Sequence, residues 1–393
     1  MMTFASEIRE LPNLEQLLLR VHAWFERILG LLVAGRRWKA RALLAVLALV
    51  LLRAFPSYDA LSSSFVQQKW QDALLKADRP LADMGQLYAP DSHESKLTYR
   101  LTVPLVARLL HLRMAGVLLV SALLGILLLG LALHAGYEIT GCRRSAFLIS
   151  LAVGCSWPGE AAFHELRGGY YDAAALCLLL LALCVRSPAL VALFTFLAAW
   201  TDERALLAAP CVLLFHLVHR PNAVRVALGV VLGLGVYTLS RLYMTSSGSY
   251  QPALAGIGFH LFARQMNVLP VALWSGLGGC WAPIAGGCAV LFVRKRYAKG
   301  LLFAGLVTGL AASAFCVIDT TRSVSYLLPA VFVGLAVLRQ TESADSLARI
   351  AAATALLSFF VPPFYLEGGS GVWWLYPLPV QLVRWLVTFR PGL

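Results

Sequence analysis

Three short stretches hold most of the chemistry this chain offers between its oily runs. The first, "WPGEAAFHELRGGYYD" at 157–172, carries Glu160, His164, Glu165, Arg167, Tyr171 and Asp172. "TDER" at 201–204 supplies Asp202, Glu203 and Arg204, and "DTTR" at 319–322 supplies Asp319 and Arg322. Carboxylates serve as general bases or metal ligands, and guanidinium groups grip phosphate through paired hydrogen bonds. A charge near a bilayer costs about 3 kcal/mol unless it is paired or wet. Acids beside arginines in three separate links therefore predict convergence on one polar cavity. Blander roles compete with this one. Thr201 or Asp202 can cap the following helix with Glu203 at its positive end, Asp319 and Arg322 can form an interfacial ion pair, and Asp172 can complement a helix dipole. Capping and dipole complementation do not require an arginine beside each acid group.

Familiar motifs fail on inspection. His164-Glu165 begins like a zinc-protease helix, but the second histidine position holds Gly168. "GLGVY" at 233–237 and "GLGGC" at 276–280 follow no strand, so they are not dinucleotide loops. No Gly-rich loop ends in Gly-Lys-Ser/Thr, which excludes a P-loop ATPase. The 8 cysteines lie mostly inside apolar runs, with no CxxC spacing, and read as packing residues. Gly168-Gly169 permit close backbone approach or positive φ, and Gly229 with Gly233 has the spacing of a helix-packing face.

The elements that must position these groups are helices in lipid. The chain has 393 residues, 59% of them hydrophobic and only 13% charged, and Leu/Ala-rich runs recur from about residue 42. That composition predicts an all-α, polytopic transmembrane bundle. About eleven spans are expected, near 42–56, 114–134, 146–157, 170–185, 188–200, 205–218, 226–243, 267–293, 301–318, 324–338 and 350–366. Segment 267–293 is rich in Gly and Pro and is expected to be kinked. Residues 1–41 form a cytoplasmic amphipathic segment, with a helix over 14–35 and the basic cluster Arg36, Arg37, Lys39, Arg41. The bundle covers 42–366, including a polar loop 57–113 with surface helices near 61–77 and 95–113. Residues 367–393 are an aromatic interfacial segment. Glu7, Glu10 and Glu15 precede any long apolar stretch, which argues against a cleavable signal.

Charge sorts along this layout. The links "GCRRS", "VRSP", "HRPNAVR", "RKRYAKG" and "RQTESADSLAR" fall on the side of the N-terminal basic cluster, and 13 of the 20 acids fall on the other. This places the N-terminus in the cytoplasm and the acid stretches outside. The net charge of +13 is read as a topology signal at an anionic leaflet, not as a nucleic-acid surface.

The layout resembles the GT-C superfamily of integral-membrane glycosyltransferases on the segment "LRAFPSYDALSSSF", a short first span leading to Asp59, and on the long loop through "DSHESKLTYRLTVPLVARLL". The resemblance implies a polyprenyl-phosphate-linked sugar donor and a glycan, lipid or protein acceptor at the outer surface of a bacterial cytoplasmic membrane. An acid early in the loop, Asp59, would then serve the reaction. Asp59 is followed by Ala60 and Leu61, while Asp91 and Glu94 form a later acidic pair. The base is therefore Asp59 or one of Glu160, Glu165, Asp202 and Asp319. Arg167, Arg204 and Arg322 would hold the leaving phosphate, with Lys96 and Arg100 from the loop. His164, Tyr171, Asp172 and Glu203 would complete the substrate contacts. A divalent metal ion is compatible with this set and not required by it. Three other readings compete. A transporter or flippase of an anionic lipid or glycan would place charge near mid-membrane within paired repeats. A polysaccharide polymerase shares the transfer chemistry, and a non-catalytic scaffold would tolerate loss of any single acid.

Overall fold

The computed structural model describes residues 14–88, 94–219, 223–246, 257–367 and 371–388. Asp91, Glu7 and Glu10 lie outside them. The described chain is almost wholly helical, and its one sheet is a two-stranded hairpin.

The N-terminal amphipathic segment is α1 (Leu14–Val33), followed by α2 (Trp38–Arg53). The polar loop holds α3 (Ser64–Asp78), whose first turn is capped by Ser63 accepting from the Val66 N–H, then α4 (Met84–Leu87) and α5 (Thr102–Leu109). A tight 3-10 turn, Glu94–Tyr99, replaces the first half of the surface helix expected over 95–113. Leu97 and Leu101 are buried while Leu105 and Leu109 are exposed, so the expected leucine stripe does not lie on one face. Arg100, at the junction of turn and helix, points inward.

The long apolar helix α6 (Met114–Thr140) is followed by α7 (Arg143–Gly154), which bends by 54° into α8 (Trp157–His164). Pro158 at the start of α8 suits a first helical turn, where its missing N–H is not needed. Then come α9 (Asp172–Cys184), α10 (Pro188–Thr201), α11 (Arg204–His219) and α12 (Ala223–Ser246). Gly229 and Gly233 bring α12 against α10: a Cβ at either would sit 2.4 Å from the Pro188 or Ala192 carbonyl oxygen. α13 (Phe259–Gln265) precedes the expected kinked segment, which is α14 (Leu269–Leu277) and α15 (Trp281–Val293), broken at Gly278 where φ is +53°. The bundle ends with α16 (Tyr297–Ala314), α17 (Thr320–Ser325), α18 (Leu328–Arg339) and α19 (Ala344–Phe360).

The span expected over 350–366 stops at Phe360, because Pro362-Pro363 cannot continue a helix. Residues 364–367 instead form β1 (Phe364–Glu367), paired antiparallel with β2 (Gly371–Trp374), with Tyr365 opposite Trp373. The hairpin straddles the expected division at 367 and leads into α20 (Leu378–Thr388).

Among the described residues, 5 helices are long and apolar enough to cross a membrane, or 6 if the bent α7–α8 pair is one span. The runs α9, α10 and α11 are apolar but shorter. One of the five, the α17–α18 segment, is buried along its apolar length up to Leu338 and packs against α11 and α15. A helix that is apolar all round belongs at the centre of a bundle, and this one carries "DTTR" at its head. By contrast α6 and α12 turn Leu119, Leu123, Leu228 and Leu232 outward. Contacts gather the basic links at one end: Arg144 pairs with Glu26, Arg143 donates to the Val33 carbonyl, Arg186 pairs with Glu138, and Gln340 donates to the Val218 carbonyl.

Candidate active site

The acid and arginine stretches meet. Asp172 opens α9, Asp202 and Arg204 sit at the α10–α11 turn, and Asp319 and Arg322 stand at the head of the central helix. Arg322 is 0% exposed and holds two acids, Asp172 through Nε and Asp319 through Nη1 at 2.9 Å, with Asp202 3.7 Å from Nη2. Arg204 pairs with Asp202 at 3.1 Å, donates to the Ser323 hydroxyl at 2.8 Å, and lies 3.7 Å from Asp319. Arg100 comes from the loop, 3.5 Å from Asp202, and donates to the Gly169 carbonyl at 2.6 Å. Asp172, Asp202 and Asp319 are thus interlaced with Arg100, Arg204 and Arg322, so the group is neutral as a whole.

Asp202 does both jobs considered for it. Its Oδ1 accepts the Arg204 backbone N–H at 3.0 Å, which caps the turn, while Oδ2 receives the guanidinium groups. Burial alone would raise its carboxyl pKa, but Arg204, Arg100 and Arg322 hold it below the ordinary value. Two hydroxyls finish the lattice: Tyr326 donates to Asp172 at 3.1 Å and Tyr365, from the hairpin, to Asp319 at 3.3 Å. The Tyr170 ring lies 4.2 Å from the Arg322 guanidinium carbon and 4.5 Å from that of Arg167, close enough for cation–π attraction to both.

In front of this lattice opens a cavity of about 510 Å³, within the range of small-molecule sites. Its charged lining is Lys69, Lys96, Arg100, Arg204, Glu203 and Asp319. Phe65, Leu207, Ile257 and Ile318 give it apolar walls. Arg204, 15% exposed, and Asp319 connect lattice and cavity. Lys69 is tied to Glu94. Among the described residues, no hydrogen bond or ion pair reaches the Glu203 carboxylate or the Lys96 ammonium. Both are half-buried. Burial pushes the Lys96 pKa below its ordinary value, and the nearby Glu203 charge opposes that.

The remaining sequence candidates lie elsewhere. Asp59 is exposed on the 3-10 turn Tyr58–Ser62 and does not line the cavity. Its turn borders the C-terminal segment, where Phe55 donates to the Tyr376 carbonyl and Gln381 to Ser57. Glu160 is buried in an ion pair with Arg53, which also donates to the Phe359 and Val361 carbonyls. His164 places Nε2 3.1 Å from the Ala54 carbonyl oxygen. Glu165 and Arg167 grip one another through two contacts of 2.8 and 3.0 Å beside the cluster, off the main cavity. Tyr171 packs with Val66 and Trp70.

Sequence reasoning missed Lys69, Tyr170, Tyr326, Tyr365 and Arg53. Tyr170 lies inside the first acid and arginine stretch, where its ring gives no sign of the guanidinium groups it meets. The others have no local signal, because their partners are more than 20 residues away along the chain. Gly168 and Gly169 are legible in hindsight: a Cβ on Gly168 would lie 2.5 Å from the Lys69 carbonyl oxygen, and Gly169 has φ +84°. Only glycine lets this link press against α3 and turn Tyr170 inward.

Chemically, the cavity offers cations for a phosphate, carboxylates for proton transfer and apolar wall for a hydrocarbon. Among the described residues, no group of three His, Cys, Asp or Glu side chains is arranged to hold a metal ion; the three aspartates spend their oxygens on guanidinium groups. No family model, curated protein or solved structure matches the chain.

Proposed function

We propose that this chain is a multi-pass membrane glycosyltransferase of the GT-C type. It moves a sugar from a polyprenyl-phosphate donor to an acceptor hydroxyl at the extracytoplasmic face. The shorter apolar helices α9, α10 and α11, with α2 and α19, join the longer ones as spans, which gives a bundle of about eleven with the N-terminus in the cytoplasm. α10 and α11 are too short for a full bilayer, so their junction at Asp202 sits below the outer surface.

The observation that carries this reading is the one-sided cavity. Lys69, Lys96, Arg100 and Arg204 share it with Glu203, Asp319 and apolar walls. The donor has the same three parts: an anionic phosphate, a sugar whose bond must be cleaved, and a hydrocarbon tail. Guanidinium and ammonium groups in a confined site stabilise the charge that grows on the departing phosphate. A carrier would need such charges near mid-depth, reachable from both sides. Here they gather at the end opposite the basic links.

The test is transfer by the purified chain in lipid nanodiscs, given a panel of labelled polyprenyl-phosphate hexoses with alkyl glycosides and membrane glycans as acceptors. Labelled glycosylated acceptor is expected. Movement of intact donor across a vesicle membrane without bond cleavage would instead identify a carrier.

A further inference from the structure

We infer, resting on the transferase reading, that Glu203 takes the acceptor's proton and that Lys96 is the cation that meets the lipid phosphate. Asp172, Asp202 and Asp319 act as the frame behind them. The division follows from what each group already holds. Asp319 accepts from Arg322 at 2.9 Å and from Tyr365 at 3.3 Å, with Arg204 3.7 Å away. Protonating this carboxylate would discharge the group that two guanidinium ions face. Asp172 and Asp202 are equally engaged, and neither lines the cavity.

Glu203 lines the same cavity and its carboxylate is held by no described residue, so a substrate hydroxyl meets free lone pairs. Lys96 is its counterpart. It lines the cavity, it is free of described partners, and it lies near enough to Glu203 for each to feel the other's charge. Arg204 stands next to Glu203 in the chain, anchored on Asp202 and Ser323, with part of its guanidinium open to the cavity. One fixed and one adaptable cation therefore flank one free acid.

The step balances without a further reactant. The acceptor O–H bond breaks and its proton passes to a Glu203 oxygen. The electron pair of that acceptor oxygen forms the new bond to the anomeric carbon. The bond from that carbon to the phosphate oxygen breaks, and its electrons leave with polyprenyl phosphate, whose charge Lys96 and Arg204 receive. Glu203 then returns its proton to water.

The experiment uses the full chain in nanodiscs, with fluorescent polyprenyl phosphate as the binding probe and labelled polyprenyl-phosphate hexose for transfer. Glu203→Gln is expected to keep its melting temperature and bind the probe within about twofold. Its transfer rate should fall by about 10²- to 10⁴-fold, with loss of the acidic limb of the pH–rate profile. Lys96→Met should weaken probe binding about tenfold, and Lys96→Arg should restore it. Wild-type transfer together with near-normal transfer by Glu203→Gln would overturn the assignment and leave the transferase standing, as would a folded Asp319→Asn that alone abolishes the acidic limb. A wild-type protein that neither binds the probe nor transfers any hexose would overturn both.

Discussion

The ion lattice and the cavity lining are neighbours built from the same residue types, yet they are opposites in what their charges can do. In the lattice every acid faces a guanidinium, Arg322 is out of reach of water, and Tyr326 and Tyr365 occupy further oxygen positions. Such a group has no charge to spare for a ligand. In the lining, Glu203 and Lys96 stand free among the described residues, while Lys69 is tied to Glu94. The difference separates what holds three distant links together from what meets a substrate. Arg100, Arg204 and Asp319 are the hinge between the two, because each belongs to both.

The largest expected effect comes from breaking the lattice. Asp172→Ala strips Arg322 and Tyr326 of an acceptor and leaves a buried guanidinium underpaired. A loss of about 3–5 kcal/mol is expected, read as a lowered midpoint in denaturant titration of the solubilised protein. Glu203→Gln, by contrast, should change stability by less than about 0.5 kcal/mol. Equal losses at the two positions would erase the distinction.

A control lies in a third place. Glu160→Ala orphans Arg53, which keeps its two carbonyl acceptors. We expect a loss near 3 kcal/mol, at the low end for a broken buried pair, with polyprenyl-phosphate binding unchanged per folded molecule. Altered binding would draw Glu160 back into the site.

Gly168→Ala comes next. The added methyl would meet the Lys69 backbone at 2.5 Å and push α3 away from the link that carries Tyr170. Overpacking of this kind costs about 1–3 kcal/mol. Probe binding should weaken along with stability, since Lys69 and Tyr170 both line the cavity.

The last effect is a pH slope and concerns Lys76, a buried ammonium of α3 that belongs to neither group and donates to the Ala82 and Thr98 carbonyls. Burial lowers its pKa from 10.5 to about 8, against the opposing charge of Asp83. Below about pH 8 the folded and unfolded chains both carry this proton, and the folded chain bears the burial penalty in full. Between about 8 and 10.5 the unfolded chain binds more protons, so stability rises with pH across that window. The slope is at most about 1.4 kcal/mol per pH unit. Subtracting the curve of Lys76→Met isolates it; a flat difference would mean that the loop leaves Lys76 in water.

Much of the architecture was written in composition and period. Leu/Ala runs with no two-residue alternation announce helices because lipid demands that each segment satisfy its own backbone. The basic links announce one end of the bundle because their positive charge repeats after every second run. The gathering of "GGYYD", "TDER" and "DTTR" was legible for a similar reason, since acids and arginines beside apolar runs need one another.

What the sequence could not hold was the assignment of roles within that gathering. Asp59 and Arg100 both looked like loop charges, and only packing put one in the open and the other beneath Tyr170. Glu160 read as a candidate base until Arg53 closed on it from a distant segment, and Asp319, with Arg322 beside it in sequence, gained Arg204 and Tyr365 from far along the chain. Tyr365 reached the site because two prolines ended α19 early and turned the chain into a hairpin. Local pattern dictates which side chains must leave lipid, because each residue's transfer cost is its own. Which of them remains unpaired depends on partners far away in the chain, and that is a property of the folded arrangement alone.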